Sequence, residues 1–171
     1  MALTLQTAIK GKPSSPAIII PGKNPLTVTY SGLVSEVSSF QRKLADLGIG
    51  HGAAVSIALT NSYEFVVSFL AASWQRGIAA PLNPAYKQGE FEFYIEDVKS
   101  AVVLVPKGAY AAEAPAVRAA RRFRAAVAEC YWDGGKGEVV LDVKERGGGL
   151  GRREKVLRAD GEDVALVLHT R

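Results

Sequence analysis

Trp74-Gln75-Arg76-Gly77-Ile78-Ala79-Ala80-Pro81-Leu82-Asn83-Pro84 is the passage on which the fold turns. Upstream of it, Phe65, Val66, Phe69, Leu70 and Trp74 recur at helical spacing, so Trp74 closes an apolar helix face. Gly77 is the expected stop, because glycine accepts the left-handed conformation without penalty. Ile78 to Pro81 then reads as a short buried strand ending at proline, and Lys87 to Val98 reads as the next helix, with Phe91, Tyr94, Ile95 and Val98 on one face. Helix, glycine, strand and helix in so few residues is the grammar of an α/β fold.

The same alternation extends in both directions. Ala17 to Ile20 and Leu26 to Tyr30 flank a Pro21–Pro25 link and read as a hairpin. Ser31 is the expected N-cap of a helix carrying Leu33, Val34, Val37, Phe40, Leu44 and Leu47, with Gly48 as its stop. Val55, Ile57 and Leu59 alternate as a strand, and Asn61 with Glu64 resembles a capping box for the helix that follows. Downstream come a continuous apolar strand at Ala101 to Val105, a helix at Ala114 to Ala126, and a strand near Val127 to Trp132. Glu138 to Val143 alternates, as a strand or an excursion, and Val164 to His169 reads as a final buried-type strand. Runs such as Val102 to Val105 suit strands covered on both faces. The expected architecture is therefore a mostly parallel sheet flanked by helices. The stretch 133–162, with eight glycines and fourteen charges, reads as a surface loop insertion.

Composition excludes several classes. The 171 residues are 48% hydrophobic and 22% charged, ordinary values for one globular domain. The net charge of +4 is concentrated between Lys107 and Arg158, where twelve basic residues face seven acidic ones. A charge of this size bears on solubility and nonspecific binding. One cysteine, Cys130, excludes an internal disulfide framework and points to a reducing compartment; the expected location is intracellular, cytoplasmic or peroxisomal. With only His51 and His169 beside it, the pool for a zinc site is poor, and no metal site is expected. No apolar run approaches the ~18 residues that a membrane span requires. The first fifteen residues lack a secretory core, and the C-terminus shows no Ser-Lys-Leu-type address.

Few residues offer chemistry. The run Gly147-Gly148-Gly149-Leu150-Gly151-Arg152-Arg153 could cradle phosphate, but it completes neither a Walker motif nor a G-x-G-x-x-G and lacks a strand-turn-helix frame. Arg118, Arg121, Arg122 and Arg124 form a basic helix face without aromatic stacking partners, so a solvated face is expected and nucleic acid is not. Glu90/Glu92 and Glu96/Asp97 read as exposed charge opposite a core face. His51 sits in a glycine-flanked turn. His169 has the better address, at a strand end, where open α/β sheets place ligands. No catalytic residue is assigned.

Three segments together resemble the AMP-forming acyl-CoA synthetase superfamily. Leu26-Thr27-Val28-Thr29-Tyr30-Ser31-Gly32-Leu33 is similar to its first core motif, L-[TS]-Y-x-E-L, with Gly32 in place of the usual Glu. Trp74 to Pro84 is similar to the second. Leu168-His169-Thr170 is similar to the lead-in of the third, T-S-G-[ST]-T-x-x-P-K, with Arg171 where the family has Ser. Pro81 to Lys87 with Glu90 to Tyr94, and Val105 to Gly108, are similar to the oxalate–CoA ligase branch of fungi and plants. The resemblance implies that residues 1–171 are a truncated N-terminal part of an AMP-binding domain. It implies a parent enzyme that uses ATP, Mg²⁺ and CoA to activate a small carboxylic acid such as oxalate. Thr170 is then the first residue of the ATP phosphate loop and His169 its neighbour. Tight cofactor binding and activity are not expected of this chain alone, and uncovered apolar faces predict marginal solubility. The competing expectations are a short non-catalytic binding or oligomerisation protein derived from that fold, and an unrelated Rossmann-like ligand-binding module.

Overall fold

The computed structural model describes residues 3–169. A short helix, α1 (Leu5–Ala8), precedes an antiparallel hairpin of β1 (Pro16–Ile20) and β2 (Leu26–Thr29). Then follow α2 (Tyr30–Leu47), β3 (Ala54–Ile57), α3 (Tyr63–Trp74), β4 (Ile78–Pro81), α4 (Gln88–Asp97), β5 (Val102–Val105), α5 (Pro115–Arg122), β6 (Ala126–Asp133) and β7 (Glu138–Glu145). The five-stranded sheet runs in the order β4-β3-β5-β6-β7. Its first four strands are parallel, and β7 adds antiparallel to β6. The chain enters at β3, moves out to β4, then crosses back to β5 on the other side.

Two cores cover the two faces. On one, α2 and α3 bury Val37, Phe40, Leu44, Val67 and Trp74 against Val55, Ile57, Val102 and Leu104. On the other, α4 and α5 bury Phe91, Ile95, Val117 and Ala120 against Val103, Val105 and Val127. All four residues of β5 are fully buried, which is why that run is apolar without alternation.

Helix boundaries differ from the sequence reading for local reasons. Thr29, not Ser31, caps α2: its hydroxyl accepts from the Gly32 amide at 3.1 Å, and Ser31 lies inside the helix. Ser62, not Asn61, caps α3 by accepting from the Phe65 amide at 3.2 Å. The helix expected over 114–126 closes at Arg122. The left-handed residue after α3 is Arg76 (φ 61°), not Gly77. Gly77 serves close packing instead: a Cβ there would sit 3.0 Å from the Ala53 carbonyl oxygen and 3.1 Å from that of Ala72.

The stretch 133–162 is more ordered than a surface loop. Glu138–Glu145 is the edge strand β7, with α2 against it: Glu36 accepts from the Val139 amide at 2.7 Å, and Lys43 Nζ donates to the Val139 carbonyl at 2.7 Å. Gly147 (φ 66°) lies on the turn after α5, where a Cβ would overlap the Arg124 carbonyl oxygen, and Gly148 donates to that oxygen at 2.8 Å. The chain then passes over the end of α2. Arg146 donates to the Leu47 carbonyl, one of those a helix terminus leaves without a partner, and the Glu154 amide donates to the Ala45 carbonyl, which the Gly48 amide also reaches.

Candidate functional site

The segment from Asp163 to His169 leads towards Thr170, and six neighbouring groups fix its course. Arg76 Nη2 and Nε donate to Asp163 Oδ1 and Oδ2 at 2.8 and 2.9 Å, a bidentate pair of the strong, charge-assisted kind. The Asp163 carboxylate is only 6% exposed, and the Arg76 bonds hold its pKa below the usual aspartate value. His51, largely exposed in its turn, approaches Asp163 Oδ1 at 3.2 Å. Ser73 Oγ donates to the Ala165 carbonyl at 3.0 Å, the Ala79 amide donates to the same oxygen at 3.0 Å, and Val167 donates to the Ala79 carbonyl at 3.0 Å. Finally His169 Nε2 meets Asp97 Oδ2 at 2.8 Å, with its ring 4.5 Å from that of Tyr94.

The expected final buried-type strand is therefore a correction. Only one parallel bridge forms, Leu166 with Ala79 of β4, and Val164, Leu166 and Leu168 are exposed. The segment lies outside β4 and has only one side covered, so its residues alternate between half-buried and exposed. Thr170 and Arg171 lie outside the described residues.

The other candidates resolve into structural roles. Arg121 bonds Glu145 Oε1 at 2.6 Å and Glu113 Oε2 at 2.5 Å, Arg122 bonds Glu92 Oε2 at 2.7 Å, and Arg118 bonds Gln88 Oε1 at 2.7 Å. The basic face is thus spent on neighbouring acceptors, which fits a solvated helix face and not a phosphate-binding stripe. Of the carboxylate pairs, Glu90 accepts from the Lys87 amide at the start of α4 and Asp97 holds His169. Burial pushes the Cys130 thiol above the ordinary range, so it is a packing residue and not a nucleophile. The described residues contain no group of three or more His, Cys, Asp or Glu that could hold a metal ion, and no helix among them is long and apolar enough to cross a membrane.

At the carboxyl edge of the sheet, Leu59, Thr60, Asn61, Phe65 and residues 81–84 line an open groove of about 490 Å³. The topological switch lies beside it, between β3 and β5, because their following helices take opposite faces. There Glu129 Oε1 accepts from the Gly108 and Tyr110 amides at 2.9 and 3.1 Å and folds the turn after β5 onto β6.

Sequence reasoning missed the polar clamps. Gln75, fully buried, donates to the carbonyls of Ile49 and Lys155 at 3.1 and 2.6 Å and accepts from the Leu157 amide at 3.1 Å. Gln41 reaches Gln75 Oε1 at 3.1 Å and the Leu157 carbonyl at 2.7 Å. A glutamine adjoining an apolar helix face was the one available signal.

Known proteins fit this geometry. Residues 5–170 match the family described as AMP-binding enzyme. The chain is 35% identical over 90% of its length to a probable CoA ligase of Humulus lupulus, and 34% identical over 97% to an oxalate–CoA ligase of Arabidopsis thaliana. It spans 28% and 31% of those two proteins, under a third of either. Its whole length superimposes on 33% of apo MatB from Rhodopseudomonas palustris with a TM-score of 0.73 at 22% identity, a likeness of fold. The mostly parallel sheet and its helical layers are thus those of the N-terminal part of adenylate-forming enzymes, and the chain belongs to the AMP-binding enzyme family.

Proposed function

We propose that the chain is the N-terminal part of an ATP-dependent, AMP-forming carboxylic acid–CoA ligase whose acid is small and oxalate-like. The observation that carries this reading is the 34% identity to an oxalate–CoA ligase over 97% of the chain. In that reaction ATP converts a carboxylate, a poor electrophile, to an acyl-adenylate, and the thiol of CoA then displaces AMP. Thr170 opens the loop that holds the ATP phosphates, and 133–162 is an insertion bolted to α2 and α3.

The described residues do not fit a nucleotide cradle by themselves. The Gly147–Gly151 run is folded onto Arg124 and the end of α2, the arginines of α5 are paired, and His169 is engaged by Asp97. No step of adenylation is therefore assigned to their side chains. What they contribute is a framework that holds the chain along a defined path as far as His169. The purified chain with ATP, Mg²⁺ and oxalate is expected to release pyrophosphate at the rate of a protein-free control. Release well above that control would overturn the proposal of inactivity. Failure of any acid to serve, in a longer protein that contains this segment, would overturn the ligase reading itself.

A second reading, a non-catalytic module derived from the same fold, is favoured by the self-paired chemistry of the described residues. Binding of a partner or ligand by the purified chain with no continuation of its coding sequence into a phosphate loop would select it.

A further inference from the structure

We propose that Asp97 is a positioning residue for the phosphate loop: it locks the ring of His169, and with it the backbone that leads to Thr170. The inference rests on the reading of Thr170 as the first residue of that loop. After the bond from Val167 to Ala79, the contacts fixing the segment's last described residue are those of the His169 ring. Asp97 supplies the bond and Tyr94 supplies the face. Both sit on α4, 72 and 75 residues earlier in sequence.

On α4 the Tyr94 ring is packed by its neighbours, while the Asp97 carboxylate is 57% exposed. Tyr94 is itself stacked on Tyr86 with ring centroids 5.2 Å apart and holds Phe93 edge-on at 5.2 Å. Asp97 is the last residue of the helix, and the turn after it is closed by the Lys99 amide on the Glu96 carbonyl and the Ser100 amide on that of Ile95, at 3.1 and 3.0 Å. A carboxylate at a helix C-terminus faces the negative end of the dipole. A hydrogen-bond donor held against it offsets that repulsion, and the His169 ring is such a donor.

The bond also selects one form of the ring. A carboxylate only accepts, so a neutral His169 bound to it carries its proton on Nε2. Nδ1 is then a bare acceptor, and it is buried without a partner among the described residues. Asp97 thereby leaves a lone pair available one residue before the loop begins, while the ring's position is set by α4 and not by the loop.

The test uses the 171-residue chain labelled with ¹⁵N, at a pH where the imidazole nitrogen shifts themselves report neutral rings. With His51 assigned by a His51→Gln control, long-range proton–nitrogen correlations report the tautomer of His169. Amide exchange reports the bond from Val167 to Ala79. The expected result is at least a tenfold excess of the Nε2–H form. Asp97→Ala is expected to reduce that excess several-fold and to speed Val167 exchange about tenfold, with exchange in β3 and β5 unchanged. His169→Phe, which keeps a ring on Tyr94 but removes both nitrogens, should speed Val167 exchange to the same degree. A dominant Nδ1–H form, or unchanged exchange in either variant, would overturn the proposal. So would faster exchange throughout the sheet in Asp97→Ala, which would make Asp97 a residue of general stability. None of these readouts involves ATP, so their failure is separable from failure of the ligase reading.

Discussion

Gln75 shows how one buried amide can hold three pieces of chain. Its side chain serves the end of β3's approach at Ile49, the strap at Lys155 and Leu157, and Gln41 of α2. Gln75→Leu conserves volume but takes this partner from the Ile49 and Lys155 carbonyls and the Leu157 amide, while Gln41 keeps its bond to the Leu157 carbonyl, and a buried unsatisfied group costs about 1–3 kcal/mol. The variant is expected to lose about 2 kcal/mol of unfolding free energy in denaturant titration, with the Leu157 amide becoming exchangeable first. Asp163 gives the pH dependence. The Arg76 bonds lower its folded pKa below the ordinary 3.8, so its contribution is complete above that value and is lost as pH falls through the lower, folded one. Asp163→Asn should reduce stability at neutral pH and flatten the decline measured below about pH 4.

At the scale of elements, the four long helices end alike. After α2, α3, α4 and α5, a left-handed residue donates to the carbonyl three before it, and the next residue donates to one five before itself. The left-handed positions are Gly48, Arg76, Lys99 and Arg124, with φ of 107°, 61°, 51° and 57°. Only the first was readable, because the other three use a basic residue that tolerates the strain and complements the helix dipole. Lys99→Gly is expected to raise stability by about 0.5–1 kcal/mol, visible as a higher melting temperature, because glycine removes the left-handed penalty there. No change or a loss would show that the lysine's dipole contact outweighs its strain. The same limit explains the caps. Thr29 and Ser62 lie within two residues of the ones expected, and choosing among adjacent hydroxyl and amide residues requires the backbone geometry. β5, covered on both faces, was legible from its apolar run alone, and β3, equally buried, from its alternation. The terminal segment was misread because Val164, Leu166 and Leu168 look like core in sequence yet face outward beside β4. The pairing of His169 with Asp97 joins positions whose adjacency is a product of topology, so no local pattern could announce it.

For the whole molecule, the two ends of the sheet are treated unequally. β7 carries Glu138, Asp142, Lys144 and Glu145, and α2 takes up both the amide and the carbonyl of Val139. These are recognised defences of an edge strand. At the other end, residues 164–168 have no charged side chain and expose three large apolar ones. In the language of polymer chemistry such a chain would be monofunctional, with one bare end open to pairing and one chain-stopping end. Joining two copies through the bare end would leave only guarded ends exposed, and growth would halt there. Light scattering at rising concentration should therefore level off at two copies. Glu36→Ala with Lys43→Ala, which unblocks Val139, should turn the chain stopper into a propagating unit, with scattering that climbs without a plateau.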